Sequence, residues 1–295
     1  MAESDQTLLL INRTARKGDA DLAAMRERLG QLGRIIEPDV SDKEGMQKVI
    51  EQQAASVRRV VVGGGDGTLH NALPSVLAAK LPLGVLPLGT ANDFARSLGL
   101  TDLDTAVEAV IAGHERSVDV GVVNGHYFLN AAGVGLGPRI NRELDKGSKS
   151  RLGVLSYFVN FLRSQRHSRG MRARISCDDK AVDVKSLQIT IGNGIHYGGG
   201  MTVAKDARVD DGILDVLSIP PQSPFSLLLR GLAFRTGNFE GNEHVQVFRG
   251  RFVTVRTRRI MEVTADGEFV TQTPIECRVI ERVLQVFAPQ KPEMP

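Results

Sequence analysis

Residues 61 to 68 read Val-Val-Gly-Gly-Gly-Asp-Gly-Thr and follow the apolar positions Val57 and Val60. The pattern predicts a buried strand that ends in glycines, with a helix beginning near Thr68. Because glycine has no Cβ, main-chain N–H groups there can approach an anionic ligand closely. The carboxylate of Asp66 would repel a phosphate unless a metal or a transferable proton lies between them. The segment therefore predicts phosphoryl chemistry with Mg²⁺.

Strands and helices are predicted to alternate on both sides of this glycine segment. The predicted strands are 8–11, 34–37, 59–62 and 83–86. The predicted helices are 19–32, 45–56, 68–79, 90–98 and 102–112. Strands joined by crossover helices at this spacing are typical of a parallel sheet in a doubly wound α/β layer.

The pattern changes near residue 117, where Asn124-Gly125 separates two strand-like runs and predicts a hairpin. A predicted helix follows at 151–166, and the predicted strands beyond the hairpin are 172–177, 182–192, 213–219, 251–257, 260–265 and 275–279. Such a series indicates an antiparallel β-sandwich. We therefore expect a nucleotide-binding α/β domain at 1–124 and a β-sandwich domain at 125–282, with the segment 283–295 returning to the first domain.

Composition indicates an ordinary soluble cytoplasmic protein. The 295 residues carry a formal net charge of +3, which is too small to imply a nucleic-acid partner. The two cysteines, Cys177 and Cys277, are predicted to be reduced thiols, with a single long-range disulfide as the alternative. The acidic N-terminus does not resemble a secretory signal, and no apolar run approaches the roughly 20 residues that cross a bilayer.

A second polar segment, Pro-Leu-Gly-Thr-Ala-Asn-Asp-Phe-Ala-Arg, occupies positions 87–96 after a predicted strand. Ligands lie beyond the carboxyl ends of strands in such sheets, so Thr90 and Asn92 are expected to face the same edge as 65–68. The alternative is that Thr90 or Asn92 simply caps the following helix.

Two acidic segments lie in the predicted β domain. Residues 204–216 contain Asp206, Asp210, Asp211 and Asp215, and residues 265–268 read Ala-Asp-Gly-Glu. Both contain Asp-Gly, which is typical of a hairpin turn. The first segment also suits a site for a hard cation, and the second suits a general base that takes a proton from an alcohol.

In this order the four segments resemble the diacylglycerol kinase catalytic-domain family, particularly the bacterial soluble lipid kinases, with sphingosine and ceramide kinases as relatives. The matching residues are Gly-Gly-Gly-Asp-Gly-Thr at 63–68, Pro-Leu-Gly-Thr-Ala-Asn-Asp-Phe-Ala at 87–95, Asp-Asp-Gly-Ile-Leu-Asp-Val at 210–216, and Asp-Gly-Glu at 266–268. The resemblance covers nearly the whole chain. It implies an N-terminal doubly wound, NAD-kinase-like α/β domain, a C-terminal antiparallel β-sandwich domain, and an active site in the cleft between them.

The resemblance also implies a role for each site residue. The ATP contacts would be Ser41, Gly64, Gly65, Asp66, Gly67, Thr68, Leu69, His70, Asn71, Thr90 and Asn92. Asp266 would accept the proton of the lipid hydroxyl, with Glu268 close by. A catalytic Mg²⁺ would ride on the nucleotide near Asp66. A structural Mg²⁺ would be held by Asp211 and the backbone oxygens of Arg208 and Ile213.

This chain departs from the family pattern at a few positions. Asn71 stands where relatives often carry glutamate, which removes a charge. Arg13 and Arg16 replace a usual proline and glycine, and their added positive charge suits phosphates. Neither departure touches Asp66 or the acids of the β domain.

A strongly basic window spans residues 139–174, with apolar positions at helical spacing inside it. The pattern suits peripheral contact with the anionic inner face of a membrane, where a lipid substrate would be met. The alternative is a core-packed helix with a solvated basic face. Monomer and homodimer both stay open.

Two other functions are compatible with parts of the pattern. An NAD kinase-like small-molecule kinase shares a Gly-Gly-Asp-Gly core, but the segment 87–95 argues against it. A non-catalytic nucleotide or lipid sensor would keep the fold, but the acids Asp66, Asp211 and Asp266 argue against that.

Overall fold

The computed structural model describes residues 5–12, 19–40, 42–135, 170–196, 207–221 and 246–290. The chain divides into two compact units. Unit 1 contains the residues up to Val118 and those from Arg282 onward, and unit 2 contains Asp119–Glu281. The division lies a few residues before the predicted boundary at 124. The predicted cleft between the domains stays a prediction.

Unit 1 is built on parallel strands. They are β1 (Gln6–Ile11), β2 (Arg34–Ile36), β3 (Arg59–Gly64) and β4 (Leu83–Pro87), in the order β2-β1-β3-β4. The end of the last strand of the chain pairs parallel with β4 through Val286 and Leu83. Leu8, Leu9 and Val61 are fully buried, as the continuous apolar runs predict for a sheet covered on both faces.

Five helices connect these strands in the part of unit 1 that the structure describes. They are α1 (Asp19–Gly30), α2 (Lys43–Gln53), α3 (Asp66–Ala79), α4 (Asp93–Ser97) and α5 (Leu103–Ala112). Helix α1 packs with α5 and α2 packs with α3, which confirms the predicted α/β layer. The prediction was wrong at two helix starts, because α3 begins at Asp66 rather than Thr68. Helix α4 begins after Asn92, whose left-handed φ of 51° interrupts the helix predicted from Thr90.

Unit 2 consists of two antiparallel sheets. Its strands are β5 (Glu115–Val123, which begins in unit 1), β6 (His126–Phe128), β7 (Ala131–Gly135), β8 (Met171–Cys177), β9 (Lys180–Ser186), β10 (Gln188–Gly192), β11 (Leu214–Ile219), β12 (Gln246–Gly250), β13 (Phe252–Thr257), β14 (Glu262–Ala265), β15 (Glu268–Gln272) and β16 (Ile275–Phe287, which ends in unit 1). One sheet has the order β12-β11-β10-β7-β14-β15, and the other contains β16-β13-β8-β9. Ile189, Val216, Ile175 and Val253 from the two sheets share one buried core, which confirms the β-sandwich.

Several β predictions need correction. The strand predicted at 182–192 is two strands, because the chain leaves one sheet after Ser186 and enters the other at Gln188. Strands β12 and β15 were not predicted. The Asn124-Gly125 hairpin is confirmed, with left-handed φ values of 46° and 86°. The helix predicted at 151–166 lies outside the described residues.

Among the described residues, no helix combines the length and apolar character needed to span a bilayer. Both cysteines, Cys177 and Cys277, are free thiols buried in unit 2. Burial raises the pKa of both thiols.

Candidate active site

The carboxyl edge of the unit 1 sheet brings the two glycine segments together. Strands β1, β3 and β4 run parallel, so the segments that follow them emerge at one edge. Asn12, just after β1, donates its main-chain N–H to the carbonyl of Gly63 at 2.9 Å. Its side-chain amide donates to the Thr68 hydroxyl at 3.2 Å. The end of β1 therefore holds the start of α3 in place.

Close backbone contact explains two of the glycines at this edge. A Cβ on Gly64 would overlap the Thr68 side chain, and a Cβ on Gly89 would overlap the Cα of Gly65. The loop after β3 and the loop after β4 are thus pressed against each other without side chains between them. This contact requires glycine whatever ligand the edge binds.

Asp66 joins the two loops through its carboxylate. It accepts hydrogen bonds from the main-chain N–H groups of Asp93 and Phe94, both at 3.1 Å. Asn92 stands at the N-cap position of α4, but its side chain exchanges hydrogen bonds with the main chain of Gly89 at 2.9 and 3.0 Å. The acid from α3 therefore caps α4 in place of the predicted Thr90 or Asn92.

The predicted nucleotide contacts differ in how far they reach the surface. Thr90 is exposed, and Gly65, Asp66, Gly67, Asn71 and Asn92 are partly exposed. Gly64 is buried, as are the side chains of Thr68, Leu69 and His70. Ser41 lies outside the described residues. The partly exposed group surrounds the N-terminus of the 14-residue helix α3, where unpaired N–H groups and the helix dipole favour an anion.

In unit 2, the turn at Asp266-Gly267 joins β14 to β15. Both residues have left-handed φ values, 48° and 92°, as a two-residue hairpin turn requires. One carboxylate oxygen of Asp266 accepts the N–H of Leu129 at 2.8 Å. The other accepts the N–H groups of Asn130 at 2.8 Å and Ala131 at 3.2 Å. The Asp266 carboxylate is thereby fixed by three successive main-chain donors.

Glu268, two residues further on, has a different environment. Its side chain is exposed at the start of β15. Within the ranges that the structure describes, its carboxylate has no hydrogen-bond or ion-pair partner. Of the two acids predicted to act on the lipid hydroxyl, Glu268 has no partner among the described residues, whereas the Asp266 carboxylate uses three of its roughly four acceptor positions to hold the bend at 129–131.

The acidic loop before β11 is held by an arginine that the sequence did not single out. The carboxylate of Asp211 accepts the N–H of Ile213 at 3.1 Å and a hydrogen bond from Arg249 at 3.2 Å. The same guanidinium lies 2.8 Å from the buried carboxylate of Asp215, its directly opposed cross-strand partner on β11. Arg208, predicted to give a carbonyl to Mg²⁺, pairs its side chain with Asp210 at 3.1 Å.

The predicted structural Mg²⁺ site at Arg208, Asp211 and Ile213 stays a prediction, and its one carboxylate already faces an arginine. The Arg249 guanidinium lies 3.2 Å from one carboxylate oxygen of Asp211, so a Mg²⁺ ion bound to that same oxygen would share it with a positive charge. Burial raises the pKa of Asp211, and the Arg249 charge opposes that rise. Among the described residues, no three His, Cys, Asp or Glu side chains gather as metal ligands. The guanidinium already supplies positive charge at this loop.

Asp119 is a further buried acid that was not predicted. Only 1% of it is exposed, and it accepts the N–H of Gly212 at 2.6 Å. The side-chain amide of Asn193 donates to its carbonyl at 2.9 Å. Its only signal in the sequence is one acid inside the apolar strand Val118–Val123. Asp119 holds the acidic loop in place through its hydrogen bond with Gly212, just as Asp266 holds the bend at 129–131.

Comparison with known proteins identifies the family. The profile of the diacylglycerol kinase catalytic domain matches residues 6–123, and the profile of the YegS C-terminal NAD kinase beta sandwich-like domain matches residues 130–288. A Pseudomonas aeruginosa protein named probable lipid kinase YegS-like is 31% identical, covering 97% of this chain and 95% of that one. A protein of the same name from Yersinia enterocolitica is 30% identical, covering 98% of each chain.

The fold is also found among solved structures. A Bacillus anthracis protein, assigned as a candidate diacylglycerol kinase, superposes with a TM-score of 0.83 at 23% identity, covering 98% of this chain and 97% of that one. At that identity the likeness supports the fold alone. Together with the two profile matches and the nearly full-length relatives, it leads to one conclusion. The chain belongs to the diacylglycerol kinase catalytic-domain family and is a YegS-like lipid kinase.

Proposed function

We propose that the protein transfers the γ-phosphate of ATP to the hydroxyl group of a lipid. Unit 1 supplies the nucleotide site, at the edge formed by Gly65, Gly67, Thr90 and Asn92. Support comes from the partly exposed N-terminus of α3, whose N–H groups suit phosphate oxygens. Mg²⁺ carried on the triphosphate near Asp66 would neutralise charge on the reacting phosphoryl group.

Glu268 is proposed as the proton acceptor in unit 2. The lipid hydroxyl oxygen forms a bond to the γ-phosphorus, the bond from that phosphorus to the β,γ-bridging oxygen breaks, and the hydroxyl proton passes to the Glu268 carboxylate. Asp266 is the positioning residue, because its three main-chain hydrogen bonds orient the turn that carries Glu268. The observation that carries this assignment is a contrast: the Asp266 carboxylate accepts three main-chain hydrogen bonds, whereas the Glu268 carboxylate has no partner among the described residues.

The acceptor is a lipid alcohol at a membrane surface, with diacylglycerol, phosphatidylglycerol and sphingoid-like bases as the candidates. The test is transfer of radiolabel from the γ-phosphate of ATP into a total lipid extract, with NAD⁺ offered in parallel. We expect one labelled lipid product, whose identification names the acceptor. Label in NAD⁺ alone would establish the small-molecule kinase, and ATP binding without any transfer would establish the sensor.

A further inference from the structure

The outer surface of one sheet of unit 2 carries an unusual density of positive charge. Along β8, Met171, Ala173 and Ile175 are buried in the core while the residues between them are exposed, as strand alternation requires. Six exposed cations of β8, β9, β13 and the segment after β13 form a group that we call the basic face. It consists of Arg172, Arg174, Lys185, Arg256, Arg258 and Arg259.

On this face the strand register places cations directly across from other cations. Arg174 is directly opposite Arg256, and Arg172 is directly opposite Lys185. Like charges in such positions destabilise a sheet. The acid Asp183 lies 3.6 Å from Arg174, but the two side chains are 78% and 61% exposed, so this pair contributes little. The register therefore places several exposed cations side by side, where an anionic surface could contact them together.

Three cations of the face have no acidic partner among the described residues. Within the described ranges, the guanidinium groups of Arg256, Arg258 and Arg259 form no ion pair and no hydrogen bond. Two large apolar side chains accompany them, Phe252 at 44% exposure and Ile260 at 73%. Because the whole chain carries a net charge of only +3, this is a local concentration of charge rather than a general property.

We propose that the basic face docks on the surface of an anionic membrane, with Ile260 entering the headgroup region. Clustered arginines attract anionic headgroups, and an exposed apolar side chain among them adds contact with the acyl boundary. The choice of a bilayer over a nucleic acid rests on the proposed function, since a lipid kinase must meet its substrate in a membrane. The predicted membrane window 139–174 shares only Arg172 and Arg174 with this face, and its residues 139–169 lie outside the described residues.

The test is sedimentation of the full-length protein with vesicles of phosphatidylcholine containing about 25% phosphatidylglycerol, at low and high salt. We expect binding that falls with salt and is absent on pure phosphatidylcholine. The triple variant Arg256→Glu, Arg258→Glu, Arg259→Glu should bind at least about 10²-fold more weakly, since each cation near the surface contributes to attachment. Ile260→Ser, which removes the apolar side chain without adding a charge, should weaken vesicle binding at low and at high salt alike.

The matched control reverses three exposed cations of unit 1, in the variant Arg34→Glu, Lys48→Glu, Lys80→Glu, and should retain vesicle binding within a few-fold. Thermal unfolding checks the fold, and the Arg256→Glu change should not lower the melting temperature because it places opposite charges across the strands. Undiminished vesicle binding by the basic-face variant would overturn the proposal, as would tighter binding of the wild type to a DNA duplex than to vesicles. Phosphorylation of lipid dispersed in detergent micelles, which does not need membrane docking, tests the kinase activity separately.

Discussion

The Asp-Gly pair in each unit, at a helix start in unit 1 and in a hairpin turn in unit 2, makes the same kind of contact in two different settings. Asp66 and Asp266 both direct a carboxylate at successive main-chain N–H groups far along the chain. Beside Asp66, the partly exposed groups are glycines and amide donors, which suit phosphate. Beside Asp266, the exposed group is the carboxylate of Glu268, which suits a proton. The comparison indicates that the aspartates position the two loops, and under the proposed function the neighbouring residues bind phosphate and accept the proton.

A third aspartate accepts main-chain N–H groups in the same way and has no proposed catalytic role. Asp178, in the β8–β9 turn, has a left-handed φ of 48° and accepts the N–H groups of Arg251 and Phe252 at 3.0 to 3.2 Å. No segment that resembles the family motifs lies in this turn. The same pattern at Asp178 supports a positioning role for Asp266.

The largest expected effect separates the two acids of unit 2. Glu268→Gln should lower turnover on the lipid acceptor by about 10²- to 10⁴-fold, the range for a lost general base. The unfolding midpoint should not change, because the side chain is exposed and has no partner among the described residues. Steady-state kinetics together with urea unfolding checks both statements. Glu276→Gln, at another exposed strand glutamate, is the matched control and should keep full turnover.

Asp266→Asn should instead act through stability. An asparagine keeps one acceptor oxygen and turns an NH₂ group toward main-chain donors, so we expect a loss of about 1–3 kcal/mol in the free energy of unfolding. Turnover should fall as well, because the turn that carries Glu268 loses its anchor. Asp178→Asn provides the control, with a similar loss of stability and retained turnover. If Asp266→Asn kept its stability but lost nearly all turnover, Asp266 rather than Glu268 would be the proton acceptor.

In unit 1, Gly89→Ala should separate the two glycine loops. The added Cβ overlaps the backbone of Gly65, and overpacking of this kind costs about 1–3 kcal/mol. We expect weaker ATP binding by calorimetry together with a lower unfolding midpoint. Gly30→Ala is the control, since a Cβ there meets nothing within 4 Å. If the ATP affinity of Gly89→Ala were unaltered, the two glycine loops would not be part of the nucleotide site.

Substitution of Arg249, combined with melting temperatures measured with and without Mg²⁺, tests whether the acidic loop of unit 2 binds a metal. If its guanidinium is the resident cation, millimolar MgCl₂ should leave the melting temperature of the nucleotide-free wild type unchanged. Arg249→Gln should then lower the melting temperature, and MgCl₂ should restore a few degrees by binding the released carboxylates. Arg251→Gln, which loses an exposed ion pair with Glu281, is the control and should not respond to Mg²⁺. A Mg²⁺-dependent wild type would support the predicted site at Arg208, Asp211 and Ile213.

The smallest expected effect is at Asp102, where a carboxylate accepts a main-chain hydrogen bond far from any proposed ligand site. Its contribution to stability is a reference for the bonds of Asp66 and Asp266. Asp102 caps α5, and the hydrogen bond from the Thr105 main chain lowers its pKa below 3.8. A lowered folded-state pKa means that this stabilisation is present above pH 3.8 and is lost as the pH falls through the folded pKa. Asp102→Ala should therefore lower the unfolding midpoint at neutral pH, and the difference from wild type should shrink below pH 3.8. A difference that does not depend on pH would contradict this.

Much of the fold could be predicted from local signals. The parallel strands of unit 1 appeared as apolar runs, and the Asn124-Gly125 turn determined its hairpin locally. The single strand predicted at 182–192 was wrong because apolar periodicity does not record a change of sheet at Leu187. The start of α4 was wrong because the left-handed conformation of Asn92 depends on its bonds to Gly89.

For the candidate site, the sequence indicated the motifs but not the contacts of their side chains. The amides that Asp66 caps lie 27 and 28 residues away, and Leu129 lies 137 residues from Asp266. Arg249 reaches the acidic loop only because β12 pairs with β11 in a particular register. Such partners follow from tertiary structure and leave no signal in local spacing.

Equilibrium binding of ATP to Glu268→Gln, measured beside its turnover, tests the division of labour between the units most directly. The account predicts an unchanged dissociation constant for ATP together with nearly abolished phosphate transfer to lipid. Weakened ATP binding, or turnover equal to that of the wild type, would contradict it.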